Sequence, residues 1–164
     1  MSDPEGRPYR ISVVGAGQAT ESEAELARQV GACLAGAGAV VVCGGLGGVM
    51  EAAARGARDA GGLTVGILPG IDAASANAAI VLPIPTGMGE ARNALVVRAA
   101  EAVIAVGGAW GTLSEIALAR KMGIDVIVLG RSPAGGLELE RADSADGAVS
   151  WALERARRGR NANA

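Results

Sequence analysis

Short apolar runs alternate with longer, Ala-rich stretches along this chain of 164 residues. The apolar runs contain few polar residues, which is typical of parallel strands covered on both faces. The runs occupy residues 10–15, 39–43, 63–68, 79–83, 102–106 and 125–129. The pattern therefore predicts six strands of a parallel sheet.

The Ala-rich stretches between these runs predict helices. The expected helices span about residues 21–37, 48–60, 88–100, 112–122 and 144–158, whereas 69–78 is too short for a full helix. Strands alternating with helices predict an α/β fold: a single Rossmann-like, doubly wound parallel sheet with helices on both faces. We assign residues 1–164 to one domain, with tails at 1–9 and 159–164 and a loop at 131–143.

The charge pattern argues against nucleic acid or an anionic membrane as the main partner. The formal net charge is −2, with acidic and basic residues interleaved, whereas such partners require a basic face. The one basic cluster is Arg155, Arg157, Arg158 and Arg160, which we interpret as a solvated helix end. No apolar run approaches the roughly 18 to 20 residues of a membrane span, and MSDPEGRPYR has no signal-peptide core, so we expect a cytoplasmic protein.

The missing residue types restrict the chemistry. The chain has no His, and its one Lys, Lys121, is followed by Met122. Triads with a His base, His-based metal sites and P-loops are therefore excluded, and we predict no metal ligands. Acid, base and electrostatic roles fall to Asp, Glu and Arg. Cys33 and Cys43 are predicted to be small buried side chains rather than a disulfide.

Glycines accumulate where the predicted strands end. They are Gly15, Gly17, Gly44, Gly45, Gly47, Gly48, Gly87, Gly89, Gly107, Gly108 and Gly111. Glycine there allows a ligand to approach the backbone, and the following helix offers free N–H groups, so several such loops on one sheet edge indicate a phosphate-bearing ligand. NAD is not favoured, because GAGQAT is a partial fingerprint and the second strand ends in Cys43-Gly44-Gly45 rather than an acid.

Three charged side chains stand near these glycines: Glu51, Arg92 and Glu115. Each also has a structural interpretation. Thr112 and Glu115 fit a capping box, Glu51 suits its helix dipole, and Arg92 suits a nearby carboxylate. Trp110 either stacks on a ligand ring or fills a subunit interface.

Four segments in this order resemble the Lonely Guy (LOG) superfamily, whose members were once mislabelled lysine decarboxylases. They are CGGLGGVMEAAARGA (43–57), GILPG (66–70), GMGEARN (87–93) and VGGAWGTLSEIALA (106–119). The resemblance covers about residues 10 to 130. Within it, GVMEAA, GEARN and GTLSEIALA are more similar to the branch that resembles molybdenum cofactor carrier proteins.

The resemblance implies a Rossmann-like fold in dimers or larger assemblies. In the carrier branch, it implies that the glycine loops hold the molybdenum cofactor, a pterin with a terminal phosphate whose dithiolene holds the metal. In the LOG enzymes, a cytokinin nucleoside 5′-monophosphate is cut to free base and ribose 5-phosphate. The enzyme motif PGGxGTxxE matches residues 106–115 only with one extra residue and Val106 in place of Pro, and its Arg-Lys pair matches Arg92-Asn93, which lacks the Lys.

Two functions follow as hypotheses, and a regulatory module that senses a nucleotide through the same edge is a third that differs from the first only in its partner. The first is a binding protein for a phosphate-bearing heterocyclic ligand, either the molybdenum cofactor or a nucleoside monophosphate, with no cofactor required. The alternative is a phosphoribohydrolase in which Glu115 activates water or steadies the sugar and Arg92 anchors the phosphate. The predicted binding residues are Gly15, Gly17, Gly44, Gly45, Gly47, Gly48, Met50, Arg92, Asn93, Gly107, Gly108, Trp110, Gly111, Thr112 and Glu115.

Assembly is also predicted from the helices. The segments 88–100 and 112–122 are apolar on more than one face, as expected when a second subunit covers them. We therefore expect a homodimer or a homotetramer.

Overall fold

A computed structural model describes residues 6–162, in which seven parallel strands form one sheet. The strands are β1 (Arg10–Gly15), β2 (Val40–Cys43), β3 (Thr64–Leu68), β4 (Leu82–Pro85), β5 (Ala102–Val106), β6 (Asp125–Leu129) and β7 (Glu140–Ala142). Their order across the sheet is β4-β3-β2-β1-β5-β6-β7. The predicted Rossmann-like α/β fold is confirmed.

Five α-helices cover the two faces of the sheet. They are α1 (Glu21–Gly36), α2 (Val49–Asp59), α3 (Asn93–Arg98), α4 (Trp110–Met122) and α5 (Ala145–Ala162). Buried residues of α1, α2 and α5 pack on one face, and those of α3 and α4 pack on the other. No helix within residues 6–162 has both the length and the hydrophobicity needed to cross a membrane.

The chain changes direction across the sheet between β1 and β5. Strand β1 pairs with β2 on one side and with β5 on the other, and Gly15 lies opposite Val106 at their carboxyl ends. The loops that leave these two strands lead to helices on opposite faces, α1 and α4. A crevice therefore opens between the loops, at the position where ligands bind in this type of fold.

The edge strand β4 lies about three residues later than the predicted 79–83. Residues 79–81 are instead fixed by Thr64, whose hydroxyl donates to the carbonyl of Ala79 at 2.7 Å. Thr64 also accepts a hydrogen bond from the Val81 amide. Pairing with β3 begins at Leu82, and Pro83 and Pro85 are tolerated because β4 has only one neighbour.

The segment 131–143, predicted as a loop, contains the second edge strand, β7. The last helix also continues to Ala162, beyond the expected end at 158. Arg160 anchors it, because its guanidinium bonds to Glu101 at 2.6 Å and lies 4.5 Å from the centre of the Tyr9 ring. Tyr9 is buried, so residues 6–9 and 159–162 are not simple tails, while 1–5 and 163–164 lie outside the described residues. The interpretation of Arg160 as a solvated helix end is wrong.

The predicted helix 88–100 is shorter than expected. A 3₁₀ turn at Gly89–Arg92 precedes α3, which ends at Arg98. Gly87 and Gly89 have φ angles of 65° and 56°, a left-handed conformation that an α-helix does not accommodate. By contrast, α4 begins at Trp110, two residues before the predicted start.

Helices α1 and α2 approach each other closely through two glycines. A Cβ atom on Gly31 would lie 1.9 Å from the carbonyl oxygen of Ala53, and one on Gly56 would lie 1.9 Å from that of Arg28. Backbone atoms of the neighbouring helix fill both spaces, so a methyl group has no room without separating the helices. This contact holds α2, and with it the loop before α2, against the sheet.

We expect Gly31→Ala to lower the free energy of unfolding by about 1–3 kcal/mol, because overpacking displaces the α2 backbone. Gly36→Ala is the matched control, since Gly36 ends the same helix with no atom within 4 Å of its added Cβ. Urea unfolding followed by circular dichroism measures both. Equal stability of Gly31→Ala and Gly36→Ala contradicts the close contact.

Candidate functional site

A cleft of about 530 Å³ lies at the carboxyl edge of the sheet, outside β1 and β5. Four loops and the starts of α2, α3 and α4 contribute to it. Its lining residues are Gly15, Ala16, Gly17, Gln18, Leu46, Met50, Pro69, Glu90, Arg92, Asn93, Ala109, Gly111, Thr112 and Glu115. The volume is that of a typical small-molecule site.

The first turn of α4 faces this cleft without a side-chain cap. Its N-cap is Ala109, which has no side-chain oxygen, and no other side chain of the described residues caps the turn. Thr112 and Glu115 lie inside the helix, so the interpretation of this pair as a capping box is wrong. Because Ala109, Gly111 and Thr112 line the cleft, the positive end of the helix dipole opens into it.

Two buried polar atoms of the cleft lack partners. Within residues 6–162, the hydroxyl oxygen of Thr112 and the Nε atom of Arg92 make no hydrogen bond. The two side chains are only 2% and 8% exposed, and both line the cleft. A buried polar group without a partner is costly, so both atoms require a hydrogen-bond partner from outside the described residues.

Arg92 is held in place by the loop after β2. Its Nη2 atom donates to the carbonyl of Gly44 at 3.3 Å, and its Nη1 atom donates to the side-chain oxygen of Asn93. A Cβ on Gly44 would lie 2.7 Å from Nη2 and 2.6 Å from the sulfur of Met50. Glycine at 44 therefore provides the space in which the guanidinium lies.

Glu115 is the buried acid of the cleft, with 7% of its surface exposed. Burial raises the pKa of its carboxyl group to about 7, and the positive charge of Arg92 opposes that shift. Burial also lowers the pKa of Arg92, while Glu115 acts in the opposite direction. Glu115 thus changes protonation near neutral pH, next to a permanently charged guanidinium.

The structure brings eight of the predicted site residues into the lining of the cleft. These are Gly15, Gly17, Met50, Arg92, Asn93, Gly111, Thr112 and Glu115. Seven others do not line it: Gly44, Gly45, Gly47, Gly48, Gly107, Gly108 and Trp110. Trp110 lies at the start of α4, is 85% exposed and does not line the cleft.

Three of the glycines outside the lining have packing roles next to the cleft. A Cβ on Gly48 would lie 2.2 Å from the carbonyl of Ala16, and one on Gly108 would lie 2.3 Å from the hydroxyl of Thr112. A Cβ on Gly107 would overlap the carboxylate of Glu23, which caps α1. These glycines bring the loops and helices together around the cleft.

Six lining residues were not among the predicted binding residues: Ala16, Gln18, Leu46, Pro69, Glu90 and Ala109. All six lie inside or next to the glycine-rich segments, and this proximity in sequence was the only feature that could have identified them. Leu46, Met50 and Pro69 are apolar residues of the lining. Glu51, by contrast, pairs with Arg55 on the exposed side of α2, at 3.0 Å, and does not line the cleft.

Cys43 lies beneath the site as a buried thiol. Burial raises its pKa to about 11, so it remains protonated and unreactive. Among residues 6–162, no three His, Cys, Asp or Glu side chains are grouped to hold a metal ion.

Comparison with known proteins gives a family and several relatives. A family model described as the SLOG cluster4 family matches residues 8–152. A protein of Archaeoglobus fulgidus, described as uncharacterized, is 47% identical over 114 residues, covering 70% of this chain and 75% of its own length.

Two solved structures are similar over almost the whole fold. The molybdenum cofactor binding protein from the phototrophic bacterium Rippkaea orientalis is 36% identical with a TM-score of 0.84, covering 90% of this chain and 97% of its own. The Moco carrier protein from Chlamydomonas reinhardtii is 34% identical with a TM-score of 0.81, covering 91% of this chain and 98% of its own.

The shifted pKa of Glu115 predicts a specific pH dependence of stability. Its ordinary pKa is 4.5 and its folded value is about 7. Between these values the unfolded chain has lost the proton that the folded chain keeps, so unfolding becomes easier as pH rises from about 4.5 to 7. We expect the free energy of unfolding of wild type to fall by on the order of 3 kcal/mol over this pH range, and that of Glu115→Gln not to show this decrease.

Urea unfolding at pH 5 and pH 8 gives the free energy of unfolding of wild type and of Glu115→Gln. The change with pH in the difference between the two proteins measures the contribution of Glu115. Glu51→Gln, a variant of an exposed glutamate outside the cleft, should follow wild type within about 0.5 kcal/mol. A Glu115→Gln variant whose stability relative to wild type is the same at both pH values is incompatible with a buried, titrating Glu115.

Proposed function

Since this chain belongs to the SLOG cluster4 family, we propose that it is a carrier that binds the molybdenum cofactor through its terminal phosphate. The observation that carries the proposal is the meeting of unpaired hydrogen-bonding groups in the cleft. These are the uncapped first turn of α4, the hydroxyl of Thr112 and the Nε atom of Arg92. The identity of the cargo is inferred from the similarity to the two cofactor-binding proteins.

The phosphate is proposed to lie at the start of α4. Amide groups around Gly111 and Thr112 would donate to its oxygens, favoured by the helix dipole. The Thr112 hydroxyl and Arg92 would add two further donors, one of them charged. Gly17 lines the cleft with no atom within 4 Å of an added Cβ, which would admit the ligand close to the backbone.

The heterocycle is proposed to pack against the apolar lining residues of the cleft. Leu46, Met50 and Pro69 provide that surface, and Gln18 and Asn93 add polar groups for the ring edges. The metal needs no protein ligand, because the dithiolene of the pterin binds it. The cleft would therefore bind and release the complete cofactor without supplying a ligand to the metal.

A phosphoribohydrolase acting on a nucleoside 5′-monophosphate is the second candidate. The observation that favours it is the pKa of Glu115 near 7, since a buried carboxyl group that titrates at working pH is suited to acid–base chemistry. Against it, Asn93 follows Arg92 where the LOG enzymes have Lys, so one positive charge is missing.

We expect Thr112→Val to weaken binding of the molybdenum cofactor by about tenfold, because one hydrogen bond to the phosphate is lost. The fold should keep its stability, since the hydroxyl has no partner within residues 6–162. Thr112→Ser restores the hydroxyl and should restore binding. The measurement is anaerobic titration with isolated cofactor, with retained pterin quantified by fluorescence after oxidation.

The same protein incubated with AMP should release no adenine by chromatography. Adenine release that disappears in Glu115→Gln identifies the hydrolase instead and overturns the carrier proposal. Failure of wild type to retain the cofactor, without adenine release, overturns both candidates.

We also infer a homodimer or a homotetramer. Leu82 and Ile84 of β4 are 50% and 40% exposed, and Leu95 of α3 is 39% exposed. Leu82 pairs with Val65 and Ile84 pairs with Ile67, and both partners pack in the core beneath α3 and α4. Leu82 and Ile84 therefore lie on the same face of the sheet as α3 and α4.

Pro83 and Pro85 prevent the edge strand β4 from pairing with a strand of another subunit, which favours a subunit contact through this face of the sheet. The exposed Trp110 suits such an interface.

Ile84→Glu should reduce the assembly to a smaller species, because a carboxylate cannot be buried at an apolar contact without a partner. Light scattering after size-exclusion chromatography measures the mass. Leu137→Glu is the control, since Leu137 is 55% exposed in a distant loop. Dissociation by both variants, or by neither, would contradict an interface on the β4 face.

A further inference from the structure

The carboxyl group of Glu115 is a third buried polar group of the cleft that lacks a partner. Glu115 lines the cleft, and its carboxyl group accepts no hydrogen bond from the residues between 6 and 162. Arg92 acts on it only through its positive charge, because the two Nη atoms of Arg92 donate to Asn93 and Gly44 instead. The hydrogen-bonding capacity of Glu115 is therefore left for whatever occupies the cleft.

The three unpaired groups line the same cleft. Glu115 follows Thr112 by three residues on α4, so both side chains lie on one side of the helix. The Thr112 hydroxyl and the Nε atom of Arg92 are the two donors without partners. An anion held by these donors at the start of α4 would therefore lie about one helical turn, roughly 5 Å along the axis, from Glu115.

The neutral and ionised forms of Glu115 would act on such an anion in opposite ways. The neutral carboxyl group has an O–H that can donate to an anion, and it leaves the positive charge of Arg92 for the ligand. The ionised form has only acceptors, and its charge opposes both the attraction of Arg92 and the approach of an anion. Because Glu115 and Arg92 are buried, water screens this difference of one unit of charge only weakly.

The other ionisable groups around Glu115 do not share this property. The pKa of about 7 makes Glu115 change its charge near neutral pH, whereas burial raises the pKa of Cys43 to about 11 and keeps that thiol neutral. Arg92 keeps its charge throughout. Glu90 lines the cleft and acts on Arg92, but Glu90 is exposed, so solvent screens its charge more strongly.

We propose that an oxyanion enters the cleft together with a proton that Glu115 takes from the solvent, and that loss of this proton releases the oxyanion. The inference rests on the proposed function, because it assumes that the cleft holds the phosphate of the cargo. Binding and release then differ by one proton at a fixed position. The backbone of the cleft needs no rearrangement for either step.

Isothermal titration of the full chain with sulfate, at constant ionic strength, tests the inference. Sulfate has the tetrahedral shape of a phosphate group and keeps its charge near neutral pH, whereas a phosphate monoester itself titrates at about pH 6. The dissociation constant should rise about tenfold from pH 6 to pH 8, because the neutral fraction of Glu115 falls about tenfold. At pH 7, titrations in buffers of different ionisation enthalpy should show uptake of about half a proton per sulfate.

Three variants assign the proton. Glu115→Gln cannot ionise, so it should bind sulfate as tightly at pH 8 as at pH 6 and take up no proton. Glu51→Gln, which changes an exposed glutamate paired with Arg55 outside the cleft, should keep the tenfold change. Glu90→Gln, which changes an exposed glutamate of the lining, should keep it as well.

Equally tight sulfate binding by wild type at pH 6 and pH 8, with no proton uptake, overturns this inference and leaves the carrier proposal standing. A tenfold change that persists in Glu115→Gln, or that disappears in Glu90→Gln, assigns the proton to another group and also overturns it. Absence of sulfate binding at pH 6 removes the anion site on which this inference and the proposed function both rest.

Discussion

The site depends on the burial of two ionisable side chains, Arg92 and Glu115, at the carboxyl edge of the sheet. Removing a charge from water costs several kcal/mol unless other groups compensate. Here Arg92 is compensated by the carbonyl of Gly44, the side chain of Asn93 and the nearby carboxyl group, and Glu115 keeps its proton up to about neutral pH. Compensation is missing at Arg92 Nε, which leaves a buried donor without a partner among the described residues.

Several glycines near the cleft make room for buried polar side chains and close backbone contacts rather than line the cleft themselves. Gly44 leaves room for the guanidinium, Gly48 lets the start of α2 reach the carbonyl of Ala16, and Gly108 accommodates the side chain of Thr112. A Cβ at any of these positions would displace backbone or a buried polar side chain. The glycine-rich loops therefore fix the positions of a few polar groups, and the adjacent residues Leu46, Met50 and Gly111 face the cleft.

The central strands were predicted well from the sequence, because strands that are buried on both faces of a sheet give continuous apolar runs. β1, β2, β3, β5 and β6 each agree with the predicted runs within one residue. β4 was displaced and β7 was missed, since edge strands are partly exposed and carry prolines or charged residues. Arg92 and Glu115 were identified as candidate functional residues, but the unpaired donors do not follow from the local sequence pattern, because they depend on distant segments meeting.

A shift of three residues in the N-cap of α4, from Thr112 to Ala109, decides what Thr112 and Glu115 do. Had α4 begun after Thr112, the hydroxyl and the carboxylate would have capped the helix and left no free donors. Because Ala109 is the N-cap, both side chains move one turn inward and become buried next to Arg92. The start of α4 is then left open to an external anion, in place of the internal cap that the same residues would have formed.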